Sequence, residues 1–191
     1  MKRLLAGLMA LLALPAVAKE GDTFRPFVSY ARYYDSNLFR LSDSEIAAAS
    51  QVFAKTTDQY GVLSAGLKMD WNLGRQRVLA SASLSQLRYS RYDSQDNDGY
   101  DYQLRWNWQL GSHWSGLVGA TDIQSQSKYE DVQVGVVPNE ITRQRQFASA
   151  NWLFHPRWQI GMNVDRSDIA NSTPSQLTGD YEDQGMGATL T

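Results

Sequence analysis

Polar and apolar residues alternate along most of the chain with the period of two that is typical of β-strands. The clearest case runs from Tyr100 to Leu110, where every second residue is apolar or aromatic and the residues between are polar. The stretches 63–71, 148–154 and 158–164 repeat this pattern. Together with weaker strand-like stretches whose faces stay unassigned, they predict eight strands, at 24–34, 59–73, 77–91, 100–110, 114–125, 142–154, 158–166 and 180–191.

The connections between these strands alternate in length. Short turns are expected at 74–76, 111–113 and 155–157, and longer polar connections at 35–58, 92–99, 126–141 and 167–180. Only the stretch 44–53, which contains three consecutive alanines, is expected to form a short helix. Short turns on one side and long loops on the other are typical of an antiparallel up-and-down transmembrane β-barrel.

The first eighteen residues have the features of a secretory signal peptide. Lys2 and Arg3 precede an apolar run at 4–14, and small residues lead to a cleavage site after Ala18. A transmembrane anchor is the alternative, but the apolar stretch is too short to span a bilayer. We therefore expect a signal peptide at 1–18 and a mature β-domain at 19–191, exported past the inner membrane.

Aromatic residues are sorted between the two ends of the predicted strands. All six tryptophans lie near short turns, and nearly all tyrosines, including Tyr33, Tyr60, Tyr89 and Tyr181, lie near long loops. A soluble sandwich, the alternative fold, would bury its tryptophans in mid-strand. Two aromatic bands instead favour an outer-membrane barrel with interfacial girdles. The expected girdle residues are Trp71, Trp106, Trp108, Trp114, Trp152, Trp158, Tyr100 and Tyr102.

The polar positions of the strands carry charges of both signs, whereas the apolar positions are nearly free of charge. In a barrel, the polar face is the lumen. Such a lumen can hydrogen-bond sugar hydroxyls or uronate groups, or its charges can merely hold the wall together. Both interpretations stay open. The candidate lumen residues are Lys68, Asp70, Asp101, Arg105, Arg143, Arg145 and Asp165.

Composition removes several classes of function. There is no cysteine, and the formal net charge of −2 argues against a nucleic-acid binder. The two histidines, His113 and His155, fall in separate turns away from any serine-carboxylate constellation, so we expect no enzyme. The acidic stretch 93–99 fails the EF-hand spacing and is interpreted as a solvated loop. No cofactor and no metal site are predicted.

The end of the sequence carries a separate expectation. Bacterial outer-membrane barrels usually end in a strand with a terminal aromatic residue, and this sequence ends in Gly-Ala-Thr-Leu-Thr. The eight strands are therefore expected to be the N-terminal part of a larger barrel.

Three stretches carry a resemblance to a known family: 34–41 (YDSNLFRL), 58–77 with its Gly-Arg-Gln-Arg turn, and 106–116 (WNWQLGSHWSG). The chain resembles the EpsL-type outer-membrane proteins of exosortase-associated exopolysaccharide clusters, within the putative β-barrel porins. The resemblance implies a role in exporting or assembling an extracellular polysaccharide. The implied partners are the lipid bilayer, the polysaccharide, the barrel-assembly machinery and other export proteins.

Three functions are therefore compatible with the sequence. The first is a conduit, which needs more strands than eight because the interior of an eight-stranded barrel is filled by side chains. The second is a small closed barrel with a structural or surface-interaction role, and the third is a general small-solute porin. The sequence favours the conduit.

Overall fold

The computed structural model describes residues 23–39, 41–42, 56–126, 139–172 and 179–191. The expected signal peptide, its cleavage site at Ala18 and the helix at 44–53 lie outside these residues. The described part contains eight strands and one short 3₁₀ turn at Asp93–Gln95. The strands are β1 (Phe24–Asp35), β2 (Asp58–Leu73), β3 (Gln76–Tyr89), β4 (Asn97–Leu110), β5 (Trp114–Gln126), β6 (Glu140–His155), β7 (Trp158–Asn171) and β8 (Tyr181–Leu190).

All eight strands belong to one antiparallel sheet in the order of the sequence, from β1 to β8. The prediction of an all-β chain with eight up-and-down strands is confirmed. The sheet is not closed, because β1 and β8 form no ladder with each other. None of the described residues belongs to a helix with the length and apolarity needed to cross a membrane.

Tight turns define one end of the sheet, which we call the turn end. Leu73 pairs with Gln76 across Gly74 and Arg75, and Leu110 pairs with Trp114 across the second turn. Gly74 and Gly111 have φ values of 61° and 59°, a conformation that glycine adopts without steric cost. The opposite end, where Asp35 pairs with Asp58, is the loop end.

Two strands extend at least three residues further towards the loop end than the alternation predicts, and β6 extends by two. β4 begins at Asn97 rather than at residue 100, and β7 ends at Asn171 rather than at residue 166. In these extensions both faces carry polar side chains, so the period-two signal disappears while the backbone ladder continues. The hydrophobic pattern therefore marks the apolar part of each strand and not its hydrogen-bonded length.

Directly paired residues share a face, and the strand patterns therefore combine into one mainly apolar and one mainly polar face. Towards the loop end the apolar face also becomes polar, for example at Asp98 and Asp168. The apolar face carries Leu67, Leu104 and Val164, and the polar face carries Lys68, Gln103 and Asp165. Neither face is covered by another layer of the described chain. On the apolar face, Leu104 is 51% exposed and Met186 is 88% exposed.

Buried side chains of the described residues lie only at the loop end. Leu38 and Phe39 are buried there beside Asp58, and the ring of Phe39 meets that of Tyr92 edge-on at 5.0 Å. Glu140 ties three strands together, since its two carboxylate oxygens accept hydrogen bonds from Asn97 and Gln124. The other buried side chains are Gln95, Asn97, Asn139 and Ile141.

Candidate functional site

The polar face brings the predicted lumen residues together. The register assigns Lys68, Asp70, Asp101, Arg105, Arg143, Arg145 and Asp165 to this one face. A continuous line of paired residues crosses six strands of it, with polar side chains at every position. The line is Arg25, Lys68, Ser81, Gln103, Thr121 and Arg145.

Asp70, one of the predicted lumen residues, forms an ion pair with Arg77. Arg77 holds Asp70 through two hydrogen bonds, of 2.9 Å from Nε and 2.7 Å from Nη2. This pair lies near the turn end, where Asn72 is opposite Arg77. Asp70 and Arg77 therefore join two neighbouring strands, in agreement with the interpretation that charges of the polar face hold the sheet together.

Most cations of the polar face are in a different situation. Within the described ranges, no carboxylate oxygen lies within 4 Å of the charged groups of five cations. Arg105 instead donates through Nε to the side chain of Asn107 at 3.0 Å. These five cations therefore form no close ion pair with a described carboxylate, although Arg25 keeps a longer-range interaction with Asp70. The five are Arg25, Lys68, Arg105, Arg143 and Arg145.

A trough of about 650 Å³ lies beside three of these cations on the polar face. Arg145 lies just beyond its Phe147 end, in an adjoining pocket that it lines together with Arg105 and Asp165. Its lining includes Arg25, Lys68 and Arg105, the single carboxylate of Asp101, and several hydroxyl groups. Asp101 accepts two hydrogen bonds from Gln103, at 2.9 and 3.2 Å. The trough is thus rich in hydrogen-bonding groups and has an excess of positive charge. The hydroxyl groups belong to Ser81, Ser83 and Thr121.

Two phenylalanine rings also line the trough, and the sequence analysis did not include them. The ring of Phe27 lies over Gly66 and fills the space that a Cβ atom would occupy there. The ring of Phe147 lies over Gly119 in the same way. Each ring carries a cation: Lys68 Nζ lies 5.1 Å from the ring centre of Phe27. Arg145 Cζ lies 5.5 Å from that of Phe147. Such placements stabilise a cation through the ring quadrupole.

The apolar face carries all eight residues predicted to form the girdles. Near the turn end, Trp114 and Trp152 are directly paired and stack at 5.4 Å with an interplanar angle of 5°. Trp108 lies against Gly116, where any side chain would collide with the indole. Tyr100 and Tyr102 stack at 5.0 Å on the same face. The remaining girdle residues, Trp71, Trp106 and Trp158, share this face by register and alternation.

The tyrosines at the loop end differ from the prediction of one interfacial band. Tyr33, Tyr60 and Tyr89 are mutually paired on the polar face, with neighbouring ring centres 5.1 Å apart. Tyr181 is on the polar face as well, opposite Ile169. The prediction that these four form one aromatic band with Tyr100 and Tyr102 is therefore wrong, because they lie on the opposite face of the sheet. The sequence predicted correctly that these tyrosines lie at the loop end. Which face they occupy depends on whether their position in the strand is odd or even relative to its neighbours.

The first resemblance stretch builds a turn. The Asn37 side chain donates to the carbonyl oxygen of Leu41 at 2.7 Å and accepts from its N–H at 3.0 Å. Asp35 accepts from the Asn37 N–H at 2.9 Å. These local bonds turn the chain so that Leu38 and Phe39 are buried. The described polar side chains of this stretch therefore shape the loop.

The second and third resemblance stretches contact each other at the turn end. Arg75 donates to the carbonyl oxygen of Gly111 at 2.6 Å, and Gln76 donates to that of Gln109 at 2.8 Å. Trp106 Nε1 donates to the Gln76 side chain at 3.0 Å. The Arg-Gln turn and the tryptophan strand therefore form one hydrogen-bonded unit.

The groups considered for catalysis or metal binding lie at the surface. His113 is next to Ser112 Oγ at 3.1 Å, and His155 accepts from the Arg157 N–H at 3.3 Å. In the acidic loop, Asp96 and Asp98 form ion pairs with Arg88. Among the residues with described positions, no cluster of three or more potential metal ligands occurs.

Comparison with known proteins identifies no relative of this chain. No family model, no curated protein and no solved structure matches it.

Proposed function

We propose that this sheet is part of the wall of an outer-membrane β-barrel that conducts an extracellular polysaccharide without catalysis. The apolar face would contact lipid, and the polar face would line the conduit. Assembly would depend on the barrel-assembly machinery, and other export proteins would deliver the polymer. The proposal agrees with the resemblance to EpsL-type proteins and with the expected signal peptide.

The observation that carries the proposal is the oblique apolar band on one face. On β2 the band begins at Leu63 at the side of the loop end. On β8 it begins at Met186, which lies in the same line of paired residues as Trp71. The edge of the band therefore moves eight residues, from Leu63 to Trp71, across six strand spacings.

This displacement corresponds to a definite tilt of the strands. At ~3.3 Å per residue and ~4.8 Å per strand, the edge moves about 26 Å over about 29 Å, a slope of roughly 40°. Strands of membrane barrels are tilted by about 35–45° to the barrel axis. A horizontal lipid layer around such a barrel requires a band with this slope. The exposed apolar side chains and the slope thus have one common explanation.

The open edges of the sheet bear on the size of the barrel. Unpaired backbone groups on β1 and β8 would cost several kcal/mol each in lipid, so a membrane wall needs strands that pair with both. We infer that strands other than these eight complete the barrel. A wider barrel also removes the steric objection to passing a polymer. A general small-solute porin has the same geometry and differs in cargo.

The membrane assignment is tested by a pair of charge substitutions at adjacent positions. Leu104→Arg adds a charge within the apolar band, and Gln103→Arg adds the same charge on the polar face. Arginine near the bilayer midplane costs about 2–4 kcal/mol. We expect L104R to abolish heat-modifiable protein in outer-membrane fractions and Q103R to preserve it. Equal tolerance of both substitutions would contradict a lipid-facing apolar face.

The cargo is tested in the producing organism. Deletion of the gene is expected to abolish surface polymer and to leave polymer in the periplasm, and the wild-type gene should restore export. Normal surface polymer in the deletion strain, together with uptake of small solutes that depends on the protein, would replace the conduit by the porin.

A further inference from the structure

We propose that the trough on the polar face binds an anionic polysaccharide, with Lys68 and Arg145 as its cationic anchors. The inference rests on the proposed function, because it takes the polar face as the lining of the conduit. It adds the chemical class of the cargo: a sugar chain that carries carboxylate groups.

The first reason is the selective lack of counter-ions. Arg77 is held by Asp70, Arg88 by Asp96 and Asp98, and Arg166 by Asp168 and Glu182. By contrast, Arg25, Lys68, Arg105 and Arg145 have no ion pair with any described residue. The chain as a whole is acidic, with a net charge of −2. The positive excess is therefore local to the trough, which Arg25, Lys68 and Arg105 line, and to the adjoining pocket, where Arg145 lies with Asp165.

The second reason is the shape of the two ends of the trough. Phe27 on β1 and Phe147 on β6 each face a glycine on the neighbouring strand. Glycine leaves room for the ring at these positions, and the cation beside each ring adds a charge to an apolar surface. A sugar ring that carries a carboxylate offers the matching pair, an apolar C–H face and an anionic edge.

The third reason is the surface between the rings. The two phenylalanines lie five strands apart, which is about 24 Å at ~4.8 Å per strand. The line between them carries hydroxyl and amide groups, Ser81, Gln103 and Thr121, which can donate to or accept from sugar hydroxyls. A site of this length fits a chain of several sugars better than a single small anion.

Binding is tested on the purified native protein in detergent by calorimetry. The probes are an oligogalacturonate and a malto-oligosaccharide of equal length, which differ mainly in the carboxylates. We expect the acidic oligomer to bind more tightly, with an affinity that falls as salt is raised. Equal binding of the two probes would overturn the inference. Displacement of the acidic oligomer by inorganic phosphate at equal concentration would show that the trough binds simple anions. This result would also overturn the inference.

Variants assign the binding to the trough. Lys68→Gln and Arg145→Gln should each weaken binding of the oligogalacturonate about tenfold, as expected for loss of a hydrogen bond to a charged group. Phe27→Leu should weaken it severalfold through loss of the ring face. Arg157→Gln, which removes the same charge from an exposed turn, should leave the affinity unchanged. Heat-modifiable migration verifies that each variant is folded. An unchanged affinity in both K68Q and R145Q would refute the site.

The two proposals fail in distinguishable ways. Loss of export on deletion, combined with no preference for the acidic oligomer, would overturn the site and keep the conduit. Tight binding of the acidic oligomer by the purified protein, combined with normal export in the deletion strain, would overturn the conduit and keep the binding site.

Discussion

At the loop end, side chains are buried against one another, whereas at the turn end they lie on exposed surfaces and are joined by hydrogen bonds. The loop end contains the buried side chains of Leu38, Phe39 and Asp58, which are 3%, 8% and 4% exposed. At the turn end, Trp152 remains 40% exposed and Trp158 50% exposed. The difference shows that only the loop end supplies its own small core. Among the described residues, the aromatic side chains of the turn end stay exposed, as the proposed contact with lipid requires.

Asp58→Ala should have the largest effect on this contrast. The buried carboxylate accepts N–H groups from Gln59 at 2.7 Å, Tyr92 at 3.0 Å and Arg91 at 3.1 Å. Without it, three donors lose their partner, and we expect the free energy of unfolding in urea to fall by about 3 kcal/mol. Asp93→Ala, in the exposed turn of the same loop, serves as the control and should change it by less than about 0.5 kcal/mol. Equal effects would show that the loop end has no real core.

Gly116→Val should have the next largest effect, at the turn end. The new side chain would collide with the indole of Trp108 and with the backbone oxygen of Ser149. Overpacking of this kind costs about 2 kcal/mol, measured as a lower midpoint of urea unfolding. Ser115→Val, on the opposite face of the same strand, is the matched control and should be near neutral. A neutral Gly116→Val would mean that Trp108 does not rest on the sheet.

Gln76→Ala should have a moderate effect. It removes the acceptor of Trp106 Nε1 and the donor to the backbone oxygen of Gln109. We expect a loss of about 1 kcal/mol in the free energy of unfolding and a changed environment of the Trp106 indole in its NMR signal. Gln109→Ala keeps the backbone acceptor and should leave both readouts unchanged.

Arg75→Ala should have the smallest effect of the four. Its hydrogen bond to Gly111 joins two neighbouring turns but is exposed. A loss of no more than about 0.5 kcal/mol is expected from denaturant titration, comparable to that of Arg157→Ala. A loss as large as that of Asp58→Ala would show that the turn end is also held by its hydrogen bonds, and the contrast between the ends would disappear.

Much of the fold could be predicted because the apolar band imposes a strict alternation. Tyr100 to Leu110 and the two glycine turns followed from period and turn chemistry alone. The start of β4 and the end of β7 could not, since the strands there leave the band and both faces become polar. The alternation of polar and apolar residues therefore indicates what surrounds a strand, and it does not indicate where the backbone hydrogen bonds of that strand end.

The sequence predicted the charged residues of the candidate site but not its two aromatic residues. Lys68 and Arg145 stand at polar positions of clear strands, so their common face followed from parity. Phe27 and Phe147 were missed because an aromatic residue at a polar position is recognised only when its partner across the ladder is known. The signal was a glycine opposite each ring, Gly66 and Gly119, and it appears only with the register.

The height of the apolar band changes around the sheet. On β4 it runs from Tyr100 to Leu110, and on β7 only from Trp158 to Val164. At ~3.3 Å per residue and a tilt of roughly 40°, these lengths correspond to about 25 Å and about 15 Å along the membrane normal. Beside β7 and β8 the lipid leaflets would have to thin by several ångströms to cover the wall. In the proposed barrel, such a mismatch would soften the bilayer on one side of the protein, next to the open edge of β8.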